Sequence, residues 1–360
     1  MGRRRRTNAT LMSVAAAAGV SRQTVSNVLN APDRVAIDTR ARVESAIESL
    51  HYRPNRAARS LRTQVSRLIG YCIMPATPGM LNPVLDRFAH AITEAASDRG
   101  FHILLFTTAG GRAGLDRYAE LLSQLTVDGF ILSDTVVGDP RQGWLTERGV
   151  PFVAFGRAWR NEEQGAWVDV DGAAGVTLAV EHVYGLGHRR IAFIGWPGGS
   201  GVGDDRLAGY ESSCARLGVT PLVVRDVGGI EQGRVLAHRV LDAPDPPTAL
   251  VCVSDADALG ALRAVTERGL RPGHDVAVVG FDDISSAGMP GFDLTSVSQP
   301  IEEAGRAVVN MLLSRLNAIE RGTSSSESGA DVDAVAHLLL KPTLVIRSSS
   351  DPTTAMETPR

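Results

Sequence analysis

The sequence predicts a small all-α head followed by an α/β body of two doubly wound parallel-sheet lobes, and three observations carry that expectation. Charge is unevenly divided: of 37 basic and 40 acidic residues, the first 67 positions hold 13 and 4, leaving 24 and 36 for the rest. Apolar residues recur at three-and-four spacing up to about residue 50, whereas from about Ser66 short apolar runs alternate with amphipathic segments. The alternation then repeats, and 360 residues leave room for two or three domains. A basic head on an acidic body points to nucleic acid at the head; a solvated tail is the alternative that composition leaves open.

The head opens with RRRRTNATLMSVAAAAGVSRQ. Arginines ahead of an apolar run could begin a secretory signal, but a second amphipathic helix starts at once, so the run reads as the first helix of a folded unit. Thr10 is its expected N-cap, and Leu11, Val14, Ala15 and Ala18 share one face. Gly19-Val20 makes a turn, and Ser21 can cap a second helix running to about Leu29. Arg22, Gln23, Ser26 and Asn27 fall on one arc of that helix, opposite Thr24, Val25, Val28 and Leu29. Helix, glycine turn and a second helix with outward Arg, Gln, Ser and Asn describe a helix-turn-helix reader. Arg can bond guanine O6 and N7, and Gln or Asn adenine N6 and N7; a merely solvated polar face is the competing account.

A third helix, from about Asp38 to Leu50, sets Val43, Ala46, Ile47 and Leu50 on one side and closes a small core. YRPNRAARSLR follows at 52–62, where Pro54 suits a helix start and Arg56, Arg59 and Arg62 make the segment basic. So short a helix needs a partner or DNA in order to form.

In the body the expected strands are RLIGYCIM (67–74), FHILLFTT (101–108), DGFILSD (128–134) and PFVAFG (151–156), separated by helices near 83–99, 115–125 and 141–148. A second set runs from a helix near 172–186 through strand RIAFIG, a helix from Asp205, strand PLVVRDV, a helix near 231–241, strand ALVCVS, a helix near 255–268 and strand VAVVGFDD. Strand and helix in alternation imply parallel sheets covered on both faces. Ligands of such sheets bind beyond the carboxyl ends of the strands. There Arg206 follows a glycine-rich loop, Ser254 and Asp255 follow one strand, and Asp282 and Asp283 another. An arginine and carboxylates across a cleft suit the hydroxyls of a sugar or the edge of a heterocycle. Helix capping is the alternative for DRLAGY and for either aspartate.

TLMSVAAAAGVSRQTVSNVLN with TRARVESAIESLHYRPNRAARSL resembles the DNA-binding head and hinge of the lactose/galactose repressor family of bacterial transcriptional regulators. GHRRIAFIG, RLAGY, ALVCVSDADALGALRA, VAVVGFDD and LLLKPTLVIRSS resemble, in the same order, that family's regulatory core, whose two lobes are like those of type I periplasmic binding proteins. The resemblance implies a repressor that contacts DNA through Thr10, Ser21, Arg22, Gln23, Thr24, Ser26 and Asn27, with Tyr52, Asn55, Arg56, Ala58, Arg59 and Leu61 in the hinge region. Leu61 stands where the family inserts a leucine into the minor groove. By the same likeness Arg157, Arg206, Ser254, Asp255 and Asp282 are effector ligands, the effector being a sugar or glycoside. The implied partners are near-palindromic double-stranded DNA, the effector, and a second or further copy of the chain. Asn27 stands where Arg or His is usual, Ala36 replaces a frequent serine cap, and Val84-Leu85 replaces the aromatic that commonly follows the Asn82-Pro83 pair.

The implied organisation is a head at 1–52, a hinge and linker at 53–65, a core at 66–350 and a disordered tail at 351–360. Within the core the first lobe is expected at about 66–157 and 287–294, the second at about 165–285 and 298–336, and the last strands at 337–347. Crossings between lobes are then expected near 157–165, 286–294 and 337–342, with 321–334 a surface insertion.

With 44% hydrophobic and 21% charged residues the chain reads as globular, without an apolar run long enough to span a membrane, and as cytoplasmic. Cys72, Cys214 and Cys252 lie apart in apolar surroundings and read as buried thiols. GWPGGSGVGDD lacks the Lys-Ser/Thr of a phosphate loop and the dinucleotide fingerprint. Neither Asp204-Asp205 nor Asp282-Asp283 has a His or Glu cluster beside it to complete a metal site, His188 reads as securing a turn, and no serine sits in a nucleophile elbow. Neither a cofactor nor catalysis is implied. An extracytoplasmic sugar-binding protein shares the two-lobed core but not the head, and a sugar-processing enzyme using the cleft is the more distant rival.

Overall fold

The computed structural model describes residues 9–52, 65–73, 82–108, 111–159, 165–320 and 337–354. The hinge segment with Asn55, Arg56, Ala58, Arg59 and Leu61, the expected insertion at 321–334 and the tail from 355 lie outside the described residues. The chain forms two compact units, Met1–Ser66 and Arg67–Arg360.

In the first unit α1 (Leu11–Ala18), α2 (Arg22–Asn30) and α3 (Ile37–Ser49) enclose Val14, Ala18, Val25, Val28, Val43 and Ala46. The α1 start is fixed reciprocally: the Ser13 N–H donates to Thr10 Oγ1 at 3.2 Å and the Thr10 N–H to Ser13 Oγ at 2.7 Å. Gly19, at φ 63, ends α1 in the left-handed conformation that glycine adopts without strain. Ser21 Oγ accepts the Thr24 N–H at 3.0 Å and starts α2. At Ala36 the replacement of a polar cap has the expected result, since α3 begins without a side-chain cap.

Among the described residues the second unit holds two sheets of six strands. The first combines β1 (Leu68–Cys72), β2 (His102–Phe106), β3 (Gly129–Leu132), β4 (Phe152–Phe155), β5 (Ala166–Val170) and β11 (His337–Leu340) in the order β11-β5-β4-β3-β1-β2, all pairs parallel. The second combines β6 (Ile191–Gly195), β7 (Leu222–Arg225), β8 (Ala249–Cys252), β9 (Ala277–Asp282), β10 (Thr295–Ser298) and β12 (Thr343–Val345) in the order β12-β10-β9-β8-β6-β7, with only the β10/β12 pair antiparallel. Each sheet thus repeats one winding, whose reversal beside its first strand creates a crevice at the carboxyl ends.

Helices cover both faces of each sheet. In the first lobe α4 (Pro83–Ser97) buries Phe88, Ile92 and Ala96 on one face, and α5 (Leu115–Ser123) and α6 (Pro140–Glu147) bury Tyr118, Leu121 and Leu145 on the other. In the second, α7 (Gly172–Gly185) and α8 (Val202–Leu217) lie opposite α9 (Ile230–Leu241) and α10 (Asp255–Glu267). The α9/α10 contact is close because Gly260 faces the α9 backbone; a Cβ there would sit 2.0 Å from the Ile230 carbonyl oxygen.

The lobe boundaries differ from the expectation at three places. AWVDV, β5, belongs to the first sheet, so the first crossing falls between Val170 and Gly172 rather than at 157–165. Residues 287–294 stay with the second lobe, where Ala287 and Leu294 enter its core, and β10 follows beside β9. The second crossing therefore lies between Ser298 and Ile301. Beyond it α11 (Ile301–Glu320) packs on α4 and buries Val308, Val309 and Leu312 in the first lobe, not the second. The third crossing, between Leu340 and Thr343, falls within 337–342, and of the closing strands β11 serves one sheet and β12 the other. Pro352–Thr354 forms a short 3-10 turn where a disordered tail was expected, with Asp351 Oδ1 accepting the Thr353 N–H at 3.0 Å.

Candidate functional site

A cavity of about 340 Å³ lies at the carboxyl ends of the strands, lined by residues of both lobes. Its second-lobe wall is polar. Arg206, in the second turn of α8, is only 5% exposed; its guanidinium stacks 3.7 Å from the Phe281 ring centroid, which fixes its plane. Nη1 donates to the Val253 carbonyl at 2.5 Å and Nη2 to Asp282 Oδ1 at 3.4 Å. The same Asp282 oxygen accepts Gln299 Nε2 at 2.7 Å. Burial pushes the Asp282 carboxyl up to about 6 against the pull of Arg206 and Gln299. Asp282 also sits at φ 116, a region strained for a residue with a Cβ, and such strain concentrates where geometry serves a ligand. Beside it, Trp196 follows β6, and its Nε1 donates to Asp257 Oδ2 at 3.1 Å.

The first-lobe wall is largely apolar, with Val84, Leu85, Val136 and Phe155 on the cavity. Arg141 steadies the loop after β3, donating to the Ser133 and Asp134 carbonyls at 2.9 and 3.2 Å, and so presents Thr135 and Val136. Gly156, after β4, is at φ 107, and a Cβ there would lie 2.5 Å from Thr135 Oγ1, so only glycine lets these two loops approach. Trp159 follows on the same loop and completes the wall.

Arg157 ties the walls together from behind. Its Nε donates to Asp169 Oδ2 of β5 at 2.8 Å and its Nη2 to Asp205 Oδ2 of α8 at 3.0 Å, while the guanidinium packs 4.8 Å from the Trp159 ring centroid. Burial pushes both carboxyls up, with Arg157 the main opposing influence. Among the described residues, three buried atoms of the lining side chains have no hydrogen-bond partner: Arg206 Nε, Thr135 Oγ1 and Trp159 Nε1. Unmet buried polar groups cost about 1–3 kcal/mol each, a cost that a small shift of the wall around a polar occupant would recover.

Of the expected ligands, Arg206 and Asp282 meet on the wall, and Arg157 stands behind it, acting through Asp169 and Asp205. Ser254 and Asp255 are corrected: neither lines the cavity. Ser254 is the N-cap of α10, accepting the Asp257 N–H at 3.3 Å and donating to Asp257 Oδ2 at 2.6 Å. Asp255 accepts Ser296 Oγ at 2.5 Å and the Ile284 N–H at 2.8 Å, joining β10 and the loop after β9. Burial, then the Asp282 charge, pushes its carboxyl up to about 8. At this strand-to-helix turn Ser254 lies nearest the free N–H groups of α10 and caps them, while Asp255 serves β10 and the loop after β9 instead. Trp159, Trp196, Thr135 and Gln299 were not singled out by sequence, and Asp205 was weighed only as half of a metal pair, although each stands near the kind of strand end where an α/β ligand is expected. Trp159 and Trp196 supply the aromatic surface that Val84-Leu85 lacks.

On the head, Arg22, Gln23 and Asn27 are exposed on α2, with Gln23 Nε2 donating to Asn27 Oδ1 at 3.0 Å; Thr24 and Ser26 are half-buried. Thr10 and Ser21 act as caps. Tyr52 is corrected: it is 8% exposed and packs in the head's own core, which raises its phenol pKa by burial, because the short head recruits its ring to close a core too small for the helices alone.

Residues 10–55 match the family of bacterial regulatory proteins of lacI type, and 180–350 match the periplasmic binding protein-like domain. The chain is 36% identical to the HTH-type transcriptional regulator CelR of Thermobifida fusca, over 88% of this chain and 94% of that one. It is 30% identical to the HTH-type transcriptional repressor PurR of Haemophilus influenzae, over 95% and 98%. Among solved structures, the lac repressor dimer bound to operator and the anti-inducer ONPF superposes with a TM-score of 0.79 at 28% identity, covering 96% of this chain and 100% of that one. A CelR–cellobiose complex superposes at 0.69 with 34% identity, covering 95% and 99%.

Proposed function

The chain belongs to the lacI family of bacterial regulatory proteins, and from that premise we propose that it is a cytoplasmic, dimeric, non-enzymatic repressor whose operator affinity is set by a sugar or glycoside bound between Arg206, Asp282 and the two indoles. The observation that carries the effector reading is the cavity itself, where aromatic faces and fixed charged hydrogen-bonding groups stand with unpartnered N–H and hydroxyl groups. Aromatic faces suit the C–H faces of a sugar ring, and Arg and Asp suit its hydroxyls.

Arg22, Gln23 and Asn27 read base edges from α2, and two copies meet a near-palindromic operator. Arg157, bonded to Asp169 and Asp205, lets an effector shift the balance between lobe arrangements in proportion to its differing affinity for them. Selection of duplexes from a randomised pool by the full-length protein tests this. The expected product is an inverted repeat whose binding changes on adding cellobiose or another neutral disaccharide; a pool without symmetry, or an operator complex indifferent to every sugar, contradicts it.

A further inference from the structure

Resting on that reading of the cavity, we infer that the effector is an electrically neutral saccharide, and that the chain's own carboxylates exclude phosphorylated sugars, sugar acids and nucleotides. Among the described residues the cavity wall carries Asp169, Asp205 and Asp282, with the more exposed Asp134 at its edge, against one guanidinium, Arg206, while Arg157 is bonded to two of the four from behind. An arriving anion therefore meets a surplus of negative charge in partly desolvated surroundings, where like charges repel more strongly than in water.

The backbone groups that normally hold phosphate are also occupied. Three helices present their N-termini to the cavity through lining residues: α4 at Asn82, α7 at Gly172 and α8 at Val202. A free helix N-terminus is a ready anion site. Here Asn82 Oδ1 accepts the Leu85 N–H at 3.1 Å, Asp171 Oδ1 accepts the Ala174 N–H at 2.8 Å and Asp205 Oδ2 accepts the Ala173 N–H at 3.1 Å. At α8, Ser200 Oγ accepts the Gly203 N–H at 2.9 Å, and the first turn carries Asp204 and Asp205. Side chains of the protein thus fill the positions that phosphate oxygens would take. Burial already raises the carboxyl pKa of Asp169, Asp205 and Asp282, so the site resists further negative charge.

What the wall offers a ligand beyond these charges suits neutral hydroxyls: an indole from each lobe, and the unpartnered Trp159 Nε1, Thr135 Oγ1 and Arg206 Nε, which are buried here and reach a ligand only as the wall shifts. The two indoles favour a ligand with more than one ring face to offer.

The test is thermal stabilisation of the full-length protein by matched pairs: cellobiose, maltose, trehalose and glucose, their 6-phosphates, the corresponding aldonic or uronic acids, and AMP. Stabilisation is expected from at least one neutral disaccharide, with its phosphate or acid at least about a hundredfold weaker. An anionic member that matches or exceeds its neutral parent overturns the inference while leaving the cavity an effector site. No stabilisation by any member overturns the sugar reading and the inference with it. Asp134→Asn keeps a residue type that tolerates the φ of 52 found there. It should narrow the gap between a neutral sugar and its phosphate at least about threefold, and an unchanged gap overturns the electrostatic origin of the exclusion.

Discussion

On the second-lobe wall of the cavity Asp282 is already engaged with Arg206 and Gln299, and Trp196 with Asp257, whereas the first-lobe wall, apolar but for Asn82, Asp134, Thr135 and Asp169, leaves Thr135 Oγ1 and Trp159 Nε1 unpartnered among the described residues. The first arrangement is a preorganised anchor, with little to reorganise on binding. The second gains its hydrogen bonds only when a ligand and both lobes are in place, so it supplies the difference in affinity through which binding can move the lobes.

Arg206→Ala separates the walls most severely. Losing the guanidinium removes the hydrogen-bonding groups facing the ligand and leaves Asp282 buried without its countercharge, so sugar affinity by calorimetry should fall about a hundredfold or more. A fall of less than about threefold would mean that the polar wall is not the anchor.

The two tryptophans sharpen the contrast. Trp196→Phe takes a donor from Asp257, which is 1% exposed, and should lower the stability of the unliganded protein by about 1–3 kcal/mol in urea unfolding. Trp159→Phe removes a donor with no partner among the described residues, and should leave that stability unchanged while weakening sugar binding about fivefold. Reversed outcomes would exchange the roles of the walls.

Asp205→Asn weakens the Arg157 bridge and should reduce the effect of sugar on operator binding more than sugar affinity itself, by about twofold to fivefold. A change confined to sugar affinity would make Asp205 only a wall residue.

The smallest effect is on pH dependence. Asp255, raised from 3.8 to about 8 by burial, keeps its proton in the folded chain and loses it in the unfolded one. Its contribution to stability is therefore full below about pH 4 and disappears as pH rises through about 8. Melting temperature should fall between about pH 7 and 8.5, and Asp255→Asn should flatten that slope. His182 and His188, pushed down by burial, act in the opposite sense at lower pH and leave this window clear. A slope unaltered in the variant would assign it to other groups.

The same contrast governs how much of the site could be read from sequence. Arg206 and Asp282 were legible because charged residues beside glycine-rich or apolar strand ends stand out. Trp159 and Thr135 were hidden because a lone aromatic in RAWRNEEQG, or a threonine after DGFILSD, looks like ordinary loop until both strand ends face one space. The strand–helix alternation of the core was plain, yet β10, TSVS, is too short and polar to announce a strand. The periodicity of α11 cannot state that the chain, which left the first sheet after Val170, has returned to it at Ile301, because lobe membership is set by contacts distant in sequence. Ser254 was visible as a polar residue at a strand end, but its role depended on the nearest unmet N–H groups, which only the turn geometry supplies.

The most direct test of the coupling is an operator titration with full-length wild type and Arg206→Ala, each with and without a stabilising neutral sugar, followed by fluorescence anisotropy. Equal operator affinity without sugar, and a sugar-dependent shift in wild type alone, is the predicted result. A shift of the same size in the variant would contradict the account, because operator control would then not pass through the polar wall of the cleft.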